Sequence, residues 1–375
     1  MRGMLVLLAL GVPVAARAQL RGIPFDVRVP KAPAVATVDG KNYFIYELRI
    51  TNLGPTEYQL EKVEVSAAGA PLAAWEGDSL KAITTRIGES TRGADGRVLP
   101  GGRQALLFLY VTTPAGPAPK TFLHRIAVAH ADSAKGTVHD TLNAFPVEVD
   151  ARSVVVVRPP FKDGPWVAVN GPGNTSGHRR AAIAVEGQSR ISQRFATDWI
   201  KLGPDGRAFQ GDSSKNDAWY GYRMPLLAAG SGVVVEVKDN IPENVPFSPV
   251  RAVPITLETI GGNHVIIDLG QGRYAFYAHM VPGSLKVKLG DKVSTGQVLG
   301  LLGNSGNSTA PHLHFHVSDA PSPLGSEGVP FLFDEYEKLG QATARGLTGQ
   351  WTASAPAETH RKELPLQNQI VRFAR

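Results

Sequence analysis

The chain has 375 residues, 43% of them hydrophobic, so it can build more than one core, and its length suggests two domains. It contains no cysteine, which excludes disulfide staples and thiolate chemistry and leaves His, Asp and Glu as possible metal ligands. The formal charge of +6 comes from scattered basic residues, and with no basic block or aromatic ladder the sequence predicts no nucleic-acid partner.

In chain order, Met1-Arg2-Gly3 and the apolar run Met4 to Val14 form a basic start and a core too short to span a bilayer comfortably. Ala16-Arg17-Ala18 then puts small residues three and one before a break, so residues 1–18 read as a signal peptide cleaved after Ala18. No later stretch is long and apolar enough for a membrane helix. The mature chain is therefore expected to be periplasmic or secreted, without a transmembrane segment.

Residues 19–157 read as short alternating runs, such as Tyr43 to Ile50 and Ala105 to Val111, punctuated by Gly, Pro and Asn. This spacing predicts an immunoglobulin-like antiparallel β-sandwich. Its histidines, His124, His130 and His139, are spread out and carry no motif, so a spacer or binding module is the expected role. The Pro- and Gly-rich stretch Arg158 to Pro165 marks a domain boundary. Beyond it, residues 158–335 are again strand-like, with Gly232 to Val237, His264 to Leu269 and Arg273 to Met280 joined by Gly-containing turns. Around the start of the C-terminal extension, residues 336–375, the segment Asp334 to Ala344 is expected to contribute one short helix. The apolar patch Ile370 to Phe373 is expected to dock back as an edge strand.

Chemistry concentrates in the second domain, where six of the ten histidines fall between His178 and His316. In Asn304-Ser305-Gly306-Asn307-Ser308-Thr309-Ala310-Pro311-His312-Leu313-His314-Phe315-His316, three histidines alternate, which on a strand places them on one face. Imidazole is a leading zinc ligand and a competent general acid or base near neutral pH, so the row points to metal-assisted hydrolysis. His279 closes Tyr277-Ala278-His279-Met280, where strand alternation predicts that it shares a face with Tyr277 and Ala275.

Taken together, Tyr277-Ala278-His279-Met280, Gly290-Asp291-Lys292-Val293 with Gly296-Gln297, Gly303-Asn304-Ser305-Gly306 and Pro311-His312-Leu313-His314-Phe315 resemble the LytM/lysostaphin-type zinc endopeptidases. The resemblance extends over roughly Gly164 to Val317. It implies an antiparallel β-sheet (barrel-sandwich hybrid) peptidase domain that hydrolyses peptide bonds of peptidoglycan, with Zn²⁺ as cofactor and peptidoglycan peptides as substrate, and it leaves room for an envelope protein partner. Carried over, His314 and Asp198 are metal ligands, and His312 and His279 form the catalytic pair.

One position departs from that pattern. Four residues before Asp198, where the family has a ligand histidine, this chain has Arg194, whose guanidinium stays protonated and has no lone pair for a metal. The expected replacement is His178, in a segment resembling the family's Gly-x-Arg strand, with His316 and His264 as other candidates. His316 can alternatively orient His314 or His312 from behind. Arg194 itself is expected to make a surface ion pair or, facing the cleft, to meet Asp198 or a substrate carboxylate. The competing reading is a metal-free domain that acts as an envelope binding or regulatory module. A phosphoryl-carrier role is disfavoured by the export signal.

Overall fold

The computed structural model describes residues 22–88, 95–152, 154–343, 349 and 351–374. The expected signal peptide lies outside them. No helix among the described residues is long and apolar enough to cross a membrane.

The chain is mainly β. Its N-terminal region stacks a pair of five-stranded sheets as a sandwich, one ordered around the strands Lys41–Asn52 and Gln104–Pro114, the other around Tyr58–Ala67 and Thr121–Asp132. Phe44, Tyr46, Leu48 and Ile50 alternate into the core between the sheets, opposite Leu60, Val63, Phe122 and Ile126. Alternation alone would put Ile45 and Glu47 in water, yet both are buried. The outer face of this sheet is covered by later segments of the chain: Ile45, Ala36 and Val38 join the second hydrophobic core, and Phe108 and Leu106 pack on Ile191.

The C-terminal region is organised by an eleven-stranded sheet. Its central run sets Phe331–Ala342, Gln369–Phe373, Asp163–Val169, Thr197–Lys201, Leu313–Ser318, Tyr274–Met280, Asn263–Asp268 and Gly232–Lys238 side by side. One face is filled with aromatics. Phe161 stacks on Trp166 at 3.8 Å, and Trp199, Phe333 and Phe373 meet edge to face around them. The opposite face of the central strands carries the histidines.

Two expectations for the C-terminal extension are corrected. Asp334 to Ala342 is not helical but belongs to the strand Phe331–Ala342, paired to Trp351–Glu363 on one side and Gln369–Phe373 on the other; residue 344 lies outside the described residues. Pairing on both sides buries Phe331, Phe333 and Tyr336, and this outweighs the helical preference of Glu337, Lys338 and Leu339. Gln369–Phe373 does dock back, but inside the sheet, between Phe331–Ala342 and Asp163–Val169, rather than at an edge. Phe331–Ala342 thus runs across the expected 335/336 division, and Val155–Val157 pairs in parallel with its first residues.

Candidate metal centre and active site

Sheet register assembles the site. Asp198 on Thr197–Lys201 lies directly opposite His314 on Leu313–Ser318, and Ala278 flanks His314 from the other side. The His314 Nδ1 is 3.0 Å from Asp198 Oδ1. On the other flank, Val169 opposes Asp198, and the chain then turns at Asn170, whose φ of 50° lies in the left-handed region that Asn tolerates. From there it enters the four-residue helical turn Gly177–Arg180, which brings His178 Nε2 to 3.4 Å from Asp198 Oδ2.

Backbone carbonyls set the histidine tautomers, because a carbonyl can only accept. The Nδ1–H of His178 donates to the Asn170 carbonyl at 3.0 Å, that of His279 to Ser305 at 2.8 Å and that of His312 to Ala310 at 2.8 Å. The neutral rings of His178 and His279 therefore keep a bare Nε2, whereas the Nε2 of His312 lies beside the Asp198 carboxylate, which favours a proton there. His314 is turned the other way, with Nδ1 toward Asp198 and Nε2 3.0 Å from His316 Nδ1. His316 stands behind His314.

His279 corrects another expectation. Tyr277 and Ala275 point into the hydrophobic core, whereas His279 lines the cleft together with Phe276 and Ala278. Its φ of 67° and a register irregularity between Asn263 and Val265 interrupt the alternation and swing the ring to the other face. The loop beside it needs glycine. Gly306, at φ +72°, lies so close to Gly262 that an added Cβ would fall 2.2 Å from the Gly262 nitrogen, and this closeness lets the Ser305 carbonyl reach His279.

Electrostatics favours the metal-binding protonation states. Burial alone would raise the Asp198 pKa, but His178 and His312 beside it hold the carboxyl well below its ordinary value. Burial lowers His178 to about 4, opposed by Asp198. His279 and His316 are also pushed well down, first by burial and then by neighbouring imidazoles. In His312 burial acts downward too, but Asp198 outweighs it and the net shift is upward; its Nε2 lies 3.4 Å from Asp198 Oδ1.

The donor set fits Zn²⁺. His178, Asp198 and His314 each offer one ligand atom, all within 4.8 Å of one another, as two imidazole nitrogens and a carboxylate oxygen. The 3.0 Å from His314 Nδ1 to Asp198 Oδ1 and the 3.4 Å from His178 Nε2 to Asp198 Oδ2 are each close to the edge of about 3.3 Å of a tetrahedron with bonds of about 2.0 Å, although they run to different oxygens of the carboxylate. A second cluster, Asp39, His360 and Glu363, already holds the Lys338 ammonium 3.1 Å from Asp39. His264 is not in the site: it lies between the Gly262 carbonyl and Glu236.

Arg194 makes neither a surface ion pair nor a contact in the cleft. It is 2% exposed and points away from Asp198, with Nη2 2.8 Å from Glu47 Oε2 and 2.7 Å from Glu327 Oε2. Its net pKa shift is upward because these two carboxylates outweigh burial. Sequence reasoning missed three contributors here. Glu47 was visible only as one of three charged residues in a mostly apolar strand, with Lys41 and Arg49. The Asn170 amide donates to Asp198 Oδ2 at 2.9 Å, and Arg251 lines the cleft with its Nη1 on the Ser248 carbonyl at 2.8 Å; neither carries a motif.

Residues 219–325 match the model of peptidase family M23. The chain carries an M23 domain. It is 36% identical over 102 residues to peptidoglycan DD-endopeptidase ShyA of Vibrio cholerae, an alignment covering 27% of this chain and 19% of that protein. It is also 36% identical over 75 residues to glycyl-glycine endopeptidase ALE-1 of Staphylococcus capitis, covering 19% and 20%. The chain thus spans about a fifth of the length of these relatives. Among solved structures, the catalytic domain of the M23 protein EnpA from Enterococcus faecalis aligns over 46% of this chain and 93% of its own, with 23% identity and a TM-score of 0.27. The catalytic domain of Staphylococcus simulans lysostaphin aligns over 45% and 88%, with 22% identity and a TM-score of 0.24. The family match takes in His279, His312 and His314, while His178 and Asp198 lie before it.

Proposed function

We propose that this protein is an exported zinc endopeptidase that hydrolyses peptide bonds in peptidoglycan, with His178, Asp198 and His314 holding the metal and His279 and His312 serving catalysis. The observation that carries the reading is the convergence of one carboxylate and four inward-facing imidazole nitrogens on a single cleft of about 400 Å³. The M23 domain and its peptidoglycan-endopeptidase relatives support the substrate class.

Zinc bound there supplies Lewis acidity and lowers the pKa of water toward about 7. The chain's own groups do the rest. His316, by accepting from His314 Nε2–H, leaves the His314 Nδ1 lone pair free to bind, and the Asn170 carbonyl does the same for His178 through the opposite nitrogen. The Nε2 of His279 faces the cleft without a hydrogen of its own and can take up a proton and return it to the leaving amine, while His312, whose protonated form Asp198 favours, can donate from Nε2 to the developing oxyanion. Phe276, Ala278 and Leu324 in the cleft wall restrict water there.

The domain arrangement belongs to the same proposal: a sandwich over 19–157, a peptidase unit over 158–335, and a C-terminal extension, 336–375, built into the peptidase sheet. The test is zinc stoichiometry of the purified chain together with its action on cross-linked peptidoglycan. About one zinc per chain and release of new amino termini is the expected result; intact peptides with the zinc-loaded chain would overturn the reading.

A further inference from the structure

We infer that Glu47, in the N-terminal sandwich, is a positioning residue for the metal centre, and that the sandwich braces the segment carrying His178 from behind without lining the cleft itself. The inference rests on the metal-centre reading above. His178 does not sit on the main sheet. It lies in a connection of some two dozen residues between Asp163–Val169 and Thr197–Lys201, whose regular structure is one helical turn and the two-stranded hairpin Ile183–Val185 and Gln188–Arg190. Such a segment cannot hold an imidazole to within a few tenths of an ångström by itself.

What fixes it is the outer face of the sandwich. Arg179, next to His178 and fully buried, donates from Nη1 to Glu47 Oε1 at 2.8 Å and from Nη2 to the Tyr46 and Leu109 carbonyls at 3.0 and 2.8 Å. Its other flank, Nε, donates to Asn174 Oδ1 at 3.1 Å, and the Asn174 amide in turn donates to the Phe108 carbonyl at 3.0 Å. Arg180 reaches the Ala82 carbonyl at 2.7 Å, with its guanidinium 4.3 Å from the centre of the Phe108 ring. At the far end of the connection, Arg194 donates to the second oxygen of the same Glu47 from Nε at 3.0 Å and Nη2 at 2.8 Å, and to Glu327.

One carboxylate, fully buried, therefore ties two separate points of the connection: the residue after His178 and the residue four before Asp198. Two guanidinium groups and two carboxylates make a neutral quartet. If Glu47 loses its charge, Arg194 keeps Glu327 as a partner but Arg179 is left without a carboxylate in a site closed to water, which favours its displacement toward solvent. Arg179 cannot move out without taking His178 with it. The position vacated by the family histidine is thus used for an anchor that holds the relocated ligand.

The experiment uses the full chain with Glu47→Gln, which keeps the shape and removes the charge, Arg179→Lys, which keeps the charge and removes the forked contacts, and Val63→Ala, which loosens the sandwich core on the other sheet. Zinc affinity is measured by chelator competition, and ligand geometry by the visible absorption of the cobalt-substituted protein, at a temperature where circular dichroism shows folded protein. Expected is a 10- to 100-fold loss of zinc affinity with an altered cobalt spectrum in Glu47→Gln, a smaller loss in Arg179→Lys, and unchanged metal binding in Val63→Ala. Wild-type affinity and spectrum in Glu47→Gln, or in Arg179→Lys should Glu47→Gln not fold, overturns the inference. So does a loss in Val63→Ala equal to that in the quartet variants. A wild-type chain that binds neither metal defeats the functional reading itself, and the inference with it.

Discussion

Replacing His178 with alanine tests whether a ligand has moved. The imidazole supplies one of three protein donors; the other cleft histidines outside the ligand set, His312 and His279, present their own Nε2 atoms to the cleft and are tied back by carbonyls. Zinc bound at structural four-ligand sites is worth roughly 10–16 kcal/mol, or about 3 kcal/mol per ligand, so His178→Ala is expected to weaken zinc binding by about two orders of magnitude. Chelator competition reads the constant and elemental mass spectrometry the stoichiometry. The decisive comparison is the double variant His178→Ala with Arg194→His. Because residue 194 points at Glu47 and Glu327 rather than at Asp198, restoring the family histidine there is expected not to recover zinc. Recovery, or unchanged affinity in His178→Ala, would refute the relocated-ligand reasoning. The histidine at 194 also leaves buried carboxylates without their guanidinium partner, so a further loss of about 3–5 kcal/mol in stability is expected, measurable by urea denaturation.

Other outcomes follow from the same geometry. His314→Ala and Asp198→Ala are expected to abolish zinc binding, whereas His312→Ala and His279→Ala retain the metal and lose about 10²- to 10⁴-fold in hydrolysis rate, read with a quenched peptide substrate; zinc retained in both ligand variants defeats the assignment. His124, buried in the sandwich with Nε2 2.7 Å from the Tyr46 hydroxyl, has its pKa lowered to about 4, chiefly by burial. Above about pH 6.5 it is neutral folded or unfolded and contributes no pH dependence. As pH falls from about 6.5 to about 4 the unfolded chain takes up the proton first, so up to about 3 kcal/mol of stability is lost; in His124→Gln the urea midpoint should change less across that window. Phe373, packed against Phe161, Trp199 and Phe333, is expected to cost about 3–5 kcal/mol when cut to alanine, and a loss below about 1 kcal/mol would mean that the last strand is not part of this core.

Much of the fold was legible because alternation is local. Tyr43 to Ile50 and Ala105 to Val111 read as strands and lie within strands, and His264 to Leu269 and Arg273 to Met280 read as strands that the structure places at Asn263–Asp268 and Tyr274–Met280. Errors arose where partners distant in sequence decide the outcome. Phe331–Ala342 carries helix-favouring residues in its second half but has a strand on each side. The face on which His279 lies could not be read from alternation, since a left-handed φ within the motif breaks the period.

For the candidate site, the sequence by itself determined the local chemistry: an imidazole row at 312, 314 and 316, a lone histidine at 279, and an arginine at 194, the position where the family resemblance implies a ligand histidine. These follow from residue type and spacing, which hold wherever the strands end up. Only the tertiary structure decided that Asp198 stands opposite His314, that His178 comes in from the neighbouring connection, and that Arg194 turns away to a glutamate nearly 150 residues earlier in the chain. The reason is physical. A metal site is defined by distances of a few ångströms between atoms far apart in sequence, and those distances are set by strand register and by the packing of one sheet on another, which no single segment encodes.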